Sequence, residues 1–380
     1  RIFVLDRGSL KMEGTPGEVF SRVEEIRALG LDVPVYADIA YETAVLLRRP
    51  IPREALSSRA ASLSYVTEAL SDRWALPLFE PGADQPVEAP PRDILTVQDL
   101  SFSYDSKGEK ALADISFSVK EGEIFAIIGH SGSGKTTLIS HLNGLLRPQT
   151  GEILLSLKAD EPTLTTRKNA DVKRIRQSVG LLFQYPEYQL FEETVEKDIR
   201  FGPSRMGLSP EETARRVREA IELVGLDEEV MTRSPFELSG GQKRRVAFAG
   251  ILAMDPDILV LDEPAAGLDP TGRQEIFTYI RELKKRGKTV ILVSHNMDEA
   301  ARYADRILVL RKGRILAIGK PENLFSDREA ATSLGLHLPE TIAFLEDLRA
   351  TYPDIQPRYF DPKGAAREGI RAASEGGRTR

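Results

Sequence analysis

The sequence predicts an α/β fold with a mostly parallel core sheet, antiparallel strands at its N-terminal side and a helical subdomain. Three observations predict it. GHSGSGKT at Gly129–Thr136 meets the G-x-x-x-x-G-K-[ST] pattern at every required position, with the apolar run Ile124–Ile128 leading in and helical spacing from Thr137 to Leu146 leading out. Apolar strands recur at Ile258–Leu261 and Val290–Val293, separated by the helical run Gly272–Arg286. The first of these strands ends in the carboxylate pair Asp262–Glu263.

Composition bounds the rest. With 41% hydrophobic and 29% charged residues over 380 positions, the chain holds one large domain or two ordinary ones. No apolar run reaches the ~18 residues of a membrane span, so a membrane role is expected to come through a partner. The absence of cysteine excludes disulfides and thiolate metal sites. A net charge of −6 argues against nucleic acid as a ligand. The chain opens at Arg1 rather than Met, and its natural N-terminus is expected to lie upstream.

Arg1–Pro34 aligns without gaps on Arg306–Pro339, with 14 identities in 34 positions, among them Val4, Gly8, Pro16, Phe20, Gly30 and Pro34. About two would arise by chance. The chain therefore opens inside one copy of a unit and then contains a whole second copy. The expected organisation is a C-terminal remnant over 1–80, a linker over 81–93, a complete domain over 94–340 and a partly disordered tail over 341–380. Asp38 to Phe79 reads as helical, with Trp74 as a packing anchor, and Pro81–Asp93 carries four prolines and no apolar periodicity. Ile94–Tyr104 and Ala111–Val119 alternate as antiparallel strands do, Glu152–Leu157 is a further strand, and Lys158–Asp171 is a polar loop. Ser209, Pro210 and Glu212 supply a cap, a first-turn proline and a capping-box partner for a helix to about Val224. Asp361–Arg380, rich in Gly, Ala and charge, is expected to be disordered.

The chemistry follows from the loop at 129. Its backbone N–H groups, along Gly129, His130, Ser131, Gly132, Ser133, Gly134, Lys135, Thr136 and Thr137, can curl around the phosphates of ATP at a positive helix end. Lys135 would reach the β- and γ-phosphates, and Thr136 and Asp262 would hold Mg²⁺. Glu263, one residue further on, is the candidate base for an attacking water. Leu238–Met254 begins Ser-Gly-Gly, a second anion-binding helix end that a single ATP does not require.

GHSGSGKT, LSGGQ, LVLDEP, GLD and SH, in that order, resemble the nucleotide-binding domain of ATP-binding cassette (ABC) ATPases over Ile94 to about Pro339. The resemblance implies a P-loop NTPase that pairs head to tail with a second ABC ATPase domain. Ser239, Gly240, Gly241 and Gln242 would then contact the γ-phosphate held by the partner. Tyr104 would stack on adenine, Gln184 would link the Mg²⁺ and water site to the transport machinery, Asp269 would cross the dimer interface, and His295 would hold the γ-phosphate. Ala265 stands where the family more often has Thr. Phe183–Pro203, with its Q-Y-P-E-x-Q-L-F run, is similar to the second ATPase subunit of energy-coupling factor (ECF) importers. That similarity implies a groove for coupling helices of a transmembrane T subunit. Tyr185, Tyr188, Leu190 and Phe191 would offer apolar area, and Glu187, Glu192 and Glu193 would meet basic groups.

The implied activity is ATP hydrolysis powering vitamin or transition-metal uptake, on the cytoplasmic face of a bacterial or archaeal membrane. A substrate-binding S subunit would choose the cargo, and no nucleic acid would be involved. Two other readings stay open at this point, an ATPase of another ABC transporter class and a soluble ABC ATPase acting on nucleic acid or ribosomes.

Overall fold

The computed structural model describes residues 1–71, 91–105, 108–157, 163–166 and 171–375. Trp74, most of the Pro-rich linker, parts of the 158–171 loop and the last five residues lie outside the described residues.

Ile2–Asp6 (β1) and Ser9–Gly14 (β2) form an antiparallel hairpin. Pro16–Phe20 (α1) follows through a capping box in which Thr15 and Glu18 satisfy each other's backbone N–H, and Val23–Ala28 (α2) leads to the Gly30 turn. Val35–Leu47 (α3) and Arg59–Ser71 (α4) complete the N-terminal segment.

The nucleotide-domain region begins with Asp93–Phe102 (β3), Leu112–Lys120 (β4) and Ile124–Ile128 (β5). Lys135–Leu142 (α5), Thr150–Leu155 (β6), Leu164–Thr165 (β7), Val172–Ser178 (α6) and Val179–Leu182 (β8) come next. The helical subdomain is Val195–Arg205 (α7), Pro210–Leu223 (α8) and Gly240–Leu252 (α9). At α8 the Ser209 hydroxyl accepts from Glu212 N as expected, 3.1 Å away. The reciprocal half of that capping box does not form, because the Glu212 carboxylate accepts instead from Arg215 and Arg216, which hold it down at a pKa of about 2. Ile258–Asp262 (β9), Pro270–Lys285 (α10), Thr289–Ser294 (β10), Met297–Tyr303 (α11), Arg306–Arg311 (β11) and Arg314–Gly319 (β12) close the domain. Pro321–Leu324 (α12), Arg328–Ser333 (α13), Glu340–Arg349 (α14) and Pro362–Glu375 (α15) follow.

The six-stranded sheet runs β12-β11-β5-β10-β9-β8, parallel except for β12, and a four-stranded antiparallel sheet runs β4-β3-β6-β7. Strands covered on both faces are apolar throughout, and β5 divides its residues between two cores. Ile124, Ala126 and Ile128 pack with the helical layer of α7 to α11, whereas Phe125 and Ile127 pack with the antiparallel sheet and α5.

The repeat read in the sequence is also a repeat in register. Ile2 to Asp6 pair with Gly14 to Ser9, and Ile307 to Arg311 pair with Gly319 to Arg314, with the same irregularity after Val4 and after Val309. Beyond that match, α3 and α4 pack on α14 and α15 around Ile39, Leu56, Leu70, Phe344, Leu345 and Ile370. Arg59 pairs with Asp347 at 2.6 Å, and the Tyr352 hydroxyl donates to Thr67 O at 2.8 Å. The stretch from Asp361, expected to be disordered, is a helix over Pro362–Glu375 instead. Its Gly364, Ala365, Ala366, Gly369, Ala372 and Ala373 are buried, because small side chains let helices approach closely without a large apolar stripe.

Candidate active site

Register places the site. Ser294 of β10 lies beside Ile128 of β5, and Val293 beside Asp262 of β9, so three strands end level with one another. The phosphate-type loop, Asp262–Glu263 and His295 therefore leave the sheet along one edge, where open parallel sheets bind ligands. Two glycines are required for the loop to curl there. A Cβ on Gly129 would lie 2.2 Å from Leu310 O, and one on Gly134, at φ +104, would lie 2.7 Å from Ala111 O. The Ser133 hydroxyl is buried inside the loop without a hydrogen-bond partner, which fits a cradle for ligand oxygens.

Lys135 is buried at the start of α5 and donates to Gly129 O at 2.7 Å and His130 O at 3.2 Å. Burial lowers its pKa, and the charges of Glu263 and Asp262 oppose that shift. The Thr136 hydroxyl points at Asp262 Oδ2 across 3.4 Å. One hydroxyl and one carboxylate, with no group of three His, Cys, Asp or Glu side chains among the described residues, is an oxygen donor set for a hard cation that phosphate oxygens would complete.

Glu263 sits at the centre. His295 Nδ1 lies 2.9 Å from Glu263 Oε2, and Gln184 Nε2 donates to the same oxygen at 3.3 Å, so three residues far apart in sequence meet at one atom. Oε1 is left to accept a proton, and the Gln184 carbonyl is left for a cation or water. Glu263 has φ +47, an uncommon left-handed backbone costing on the order of 1 kcal/mol at the turn that follows β9. Glu263 N donates to Val293 O at 2.9 Å, which holds the turn.

Asp262 is raised to about pH 6, by burial first and by the neighbouring Glu263 charge second, with the Thr136 hydroxyl and Lys135 opposing. A raised carboxyl keeps its proton up to that pH, so below about 6 a proton competes with a cation for it. We therefore expect the gain in ATP affinity brought by Mg²⁺ to be full at pH 7.5 and to shrink about tenfold for each unit below 6. Calorimetric titrations with Mg²⁺ and with EDTA from pH 5 to 7.5 check this, and a gain that stays level across the range refutes it.

The other expected residues are placed as follows. Tyr104 is 67% exposed at the mouth of the site, edge-on to Phe102, with its hydroxyl 3.1 Å from Thr137 Oγ1. Ser239 and Gln242 form a capping box at the start of α9, and Gly240 and Gly241 have open space around them. The Gln242 carbonyl oxygen thus accepts from Ser239 N, and its Nε2 remains a donor for a ligand. Asp269 caps α10 by accepting from Gly272 N at 2.8 Å, and the Gly30 turn of the N-terminal segment packs so close to Thr271 that a Cβ there would lie 2.6 Å from its hydroxyl. His130 Nε2 lies 3.1 Å from Gly335 O, and Asp298 Oδ1 accepts from Glu340 N at 2.8 Å. Both contacts tie the site to the segment entering α14.

The aromatic segment needs correction. Tyr185, Tyr188 and Phe191 are exposed, Tyr188 by 85%, but Leu190 is buried in the core and offers no area to a partner. Glu187 is engaged by the buried Arg244 at 3.3 Å, whereas Glu193 is 81% exposed in a surface pair with Lys197 and stays open to a partner. Sequence reasoning missed Phe201, which meets Phe191 edge-on at 5.0 Å, and Phe236, exposed just before the Ser239 helix. It also missed Arg244. The available signal was a charge four residues before Phe248, on the apolar face of α9.

A family model described as ABC transporter matches residues 112–266. The energy-coupling factor transporter ATP-binding protein EcfA2 of Bacillus subtilis (strain 168) is 52% identical over 274 residues, 71% of this chain and 97% of that protein. The protein of the same name from Symbiobacterium thermophilum is 49% identical over 269 residues, 70% and 92% of the two chains. Among solved structures, cbiO1 from Clostridium perfringens, part of the ABC transporter complex cbiONQ, has 38% identity and a TM-score of 0.56 over 65% of this chain and 96% of its own. A dimeric ATP-binding cassette in a post-hydrolysis state with ADP and Pi has 30% identity and a TM-score of 0.52 over 60% of this chain and 98% of its own.

Proposed function

The chain belongs to the ATP-binding proteins of energy-coupling factor transporters within the ABC transporter family, and on that premise we propose how its residues turn ATP hydrolysis into transport. It is an ATP-hydrolysing subunit of an ECF-type transporter. The observation that carries the mechanism is the convergence of Gln184 and His295 on Glu263 Oε2, beside Lys135 and Asp262. Gln184 and His295 fix the carboxylate so that Oε1 takes the proton of water attacking the γ-phosphate. Lys135 and the loop N–H groups offset the charge that develops, and Tyr104 stacks on the base. Thr136 and Asp262 would hold Mg²⁺, which when bound draws charge from the phosphate oxygens. Ser239, Gly240, Gly241 and Gln242 at the α9 N-terminus would act on ATP held by a second ABC ATPase domain, with Asp269 at that interface.

The N-terminal segment supports a second domain of this kind. In β11, Leu308 and Leu310 are buried in the core shared with the antiparallel sheet and α5, at 0% and 1% exposure; their counterparts Phe3 and Leu5 in β1 are 57% and 67% exposed. We read the segment as the end of a first ATPase unit, joined to the complete domain.

No helix among the described residues is long and apolar enough to cross a membrane. The likeness to energy-coupling factor transporter ATP-binding proteins supports work at the cytoplasmic face, with Tyr185, Tyr188 and Phe191 receiving a T subunit and an S subunit choosing a vitamin or transition-metal ion. Exposed aromatic anchors carry about 2 kcal/mol or more each at interfaces. Tyr188→Ala and Phe191→Ala are accordingly each expected to weaken T-subunit binding about thirtyfold in detergent, and the pair by several-hundred-fold, with ATP affinity within twofold. T-subunit binding that survives both changes removes the groove assignment.

A further inference from the structure

Three contacts join the 184–187 segment to the loop that follows β9. Gln184 bonds Glu263 at 3.3 Å, and the Tyr185 ring lies over Gly267, where a Cβ would be 3.9 Å from it. The third contact runs through Arg244, whose side chain is 7% exposed. Its Nε and Nη2 face the two Glu187 oxygens at 3.3 and 3.4 Å, and its Nη1 donates to Ala266 O at 2.8 Å. One planar guanidinium thus clamps three things together. They are the segment bearing the exposed Tyr185 and Tyr188, the helix that begins after Ser239, and the loop between Glu263 and Asp269.

Packing alone does not call for this residue. Arg244 shares the buried face of α9 with Phe248, where an apolar side chain avoids the desolvation that a buried ion pair carries. What an arginine adds is a rigid fork that meets a carboxylate along one edge and a carbonyl with the remaining nitrogen, so displacement of Glu187 must move Ala266 or α9. Tyr185, at φ +56, adds a strained backbone at the same junction.

We infer that Arg244 is a positioning residue that makes ATP turnover depend on occupation of the aromatic groove. The inference rests on reading Tyr185, Tyr188 and Phe191 as the docking surface for a membrane subunit. Glu187 is its other half, and the pair carries the position of the docked partner to Glu263 on one side and Ser239 on the other.

The test uses the whole transporter complex in lipid nanodiscs and the same ATPase pair without its membrane subunits, each assayed for phosphate release across ATP concentrations. The kcat of the complex divided by that of the free pair measures coupling, and the wild type is expected to differ from one by several-fold. Arg244→Gln and Glu187→Gln should each bring the ratio to about one, with the complex assembled and KM for ATP within twofold. The double variant should do no more than either single one. Arg244→Lys, which restores charge opposite Glu187 without the fork, should recover part of the ratio. A wild-type ratio in assembled Arg244→Gln overturns the inference, as does loss in Arg244→Gln with full retention in Glu187→Gln. If Arg244→Gln does not fold, Glu187→Gln decides alone. A ratio of one in the wild type, or T-subunit binding indifferent to Tyr188→Ala and Phe191→Ala, overturns the groove reading and this inference with it.

Discussion

Glu263→Gln is expected to bind ATP as the wild type does and to lose two to four orders of magnitude in turnover, the range that a positioned general base supplies. The substitution preserves shape and keeps an acceptor for His295 Nδ1 and Gln184 Nε2, which now share Oε2 at 2.9 and 3.3 Å. What disappears is the oxygen able to take a proton. The charge of Glu263 is also the second cause of the raised Asp262 carboxyl, so the variant should move the pH limit of Mg²⁺-dependent binding downward. Single-turnover phosphate release, paired with equilibrium titration of ATP, separates the two effects. Turnover within tenfold of wild type would free Glu263 of the base role, and a lost affinity would make it a binding residue instead.

Lys135→Ala should fail at an earlier step. The ammonium is buried against Gly129 O and His130 O of the loop. Truncating a buried, hydrogen-bonded charge costs about 2–5 kcal/mol of binding, or roughly thirty- to several-thousand-fold in affinity for ATP. Because burial already disfavours the charged lysine, folding stability should hardly suffer, and the melting temperature of the ligand-free variant should stay within a few degrees. Titration with ATP and a thermal melt of the same sample distinguish the cases. Undiminished affinity contradicts the phosphate-loop assignment, whereas a collapsed melt would mean that the lysine chiefly holds the loop.

The parts of this site that were legible in sequence are those where one short stretch dictates its own geometry. The Gly129–Thr136 loop, the strand ending at Asp262 and the Ser239 cap each carry their structural reason within a few residues. Residues whose surroundings come from distant segments were not legible. Leu190 and Tyr188 stand two positions apart in one aromatic run, and only the helices around them decide that one is core and the other surface. Glu187 looked free until α9 brought Arg244 against it. The fate of Asp361–Glu375 was hidden for a different reason. Its glycines and alanines resemble a solvated linker in composition, and their value lies in how near α3 and α15 can come. Strand order, too, followed only from the registers, since β5 lies between β11 and β10, strands more than 160 residues later in the chain.

The seam between α3–α4 and α14–α15 has a kinetic meaning. It is buried and fastened by Arg59 to Asp347. On the proposed reading of the N-terminal segment as the end of a first ATPase unit, that unit would be held to the complete domain through this seam and would not diffuse away from it. Their meeting would then be a swing about a fixed pivot at roughly millimolar effective concentration, at a speed that does not change with dilution.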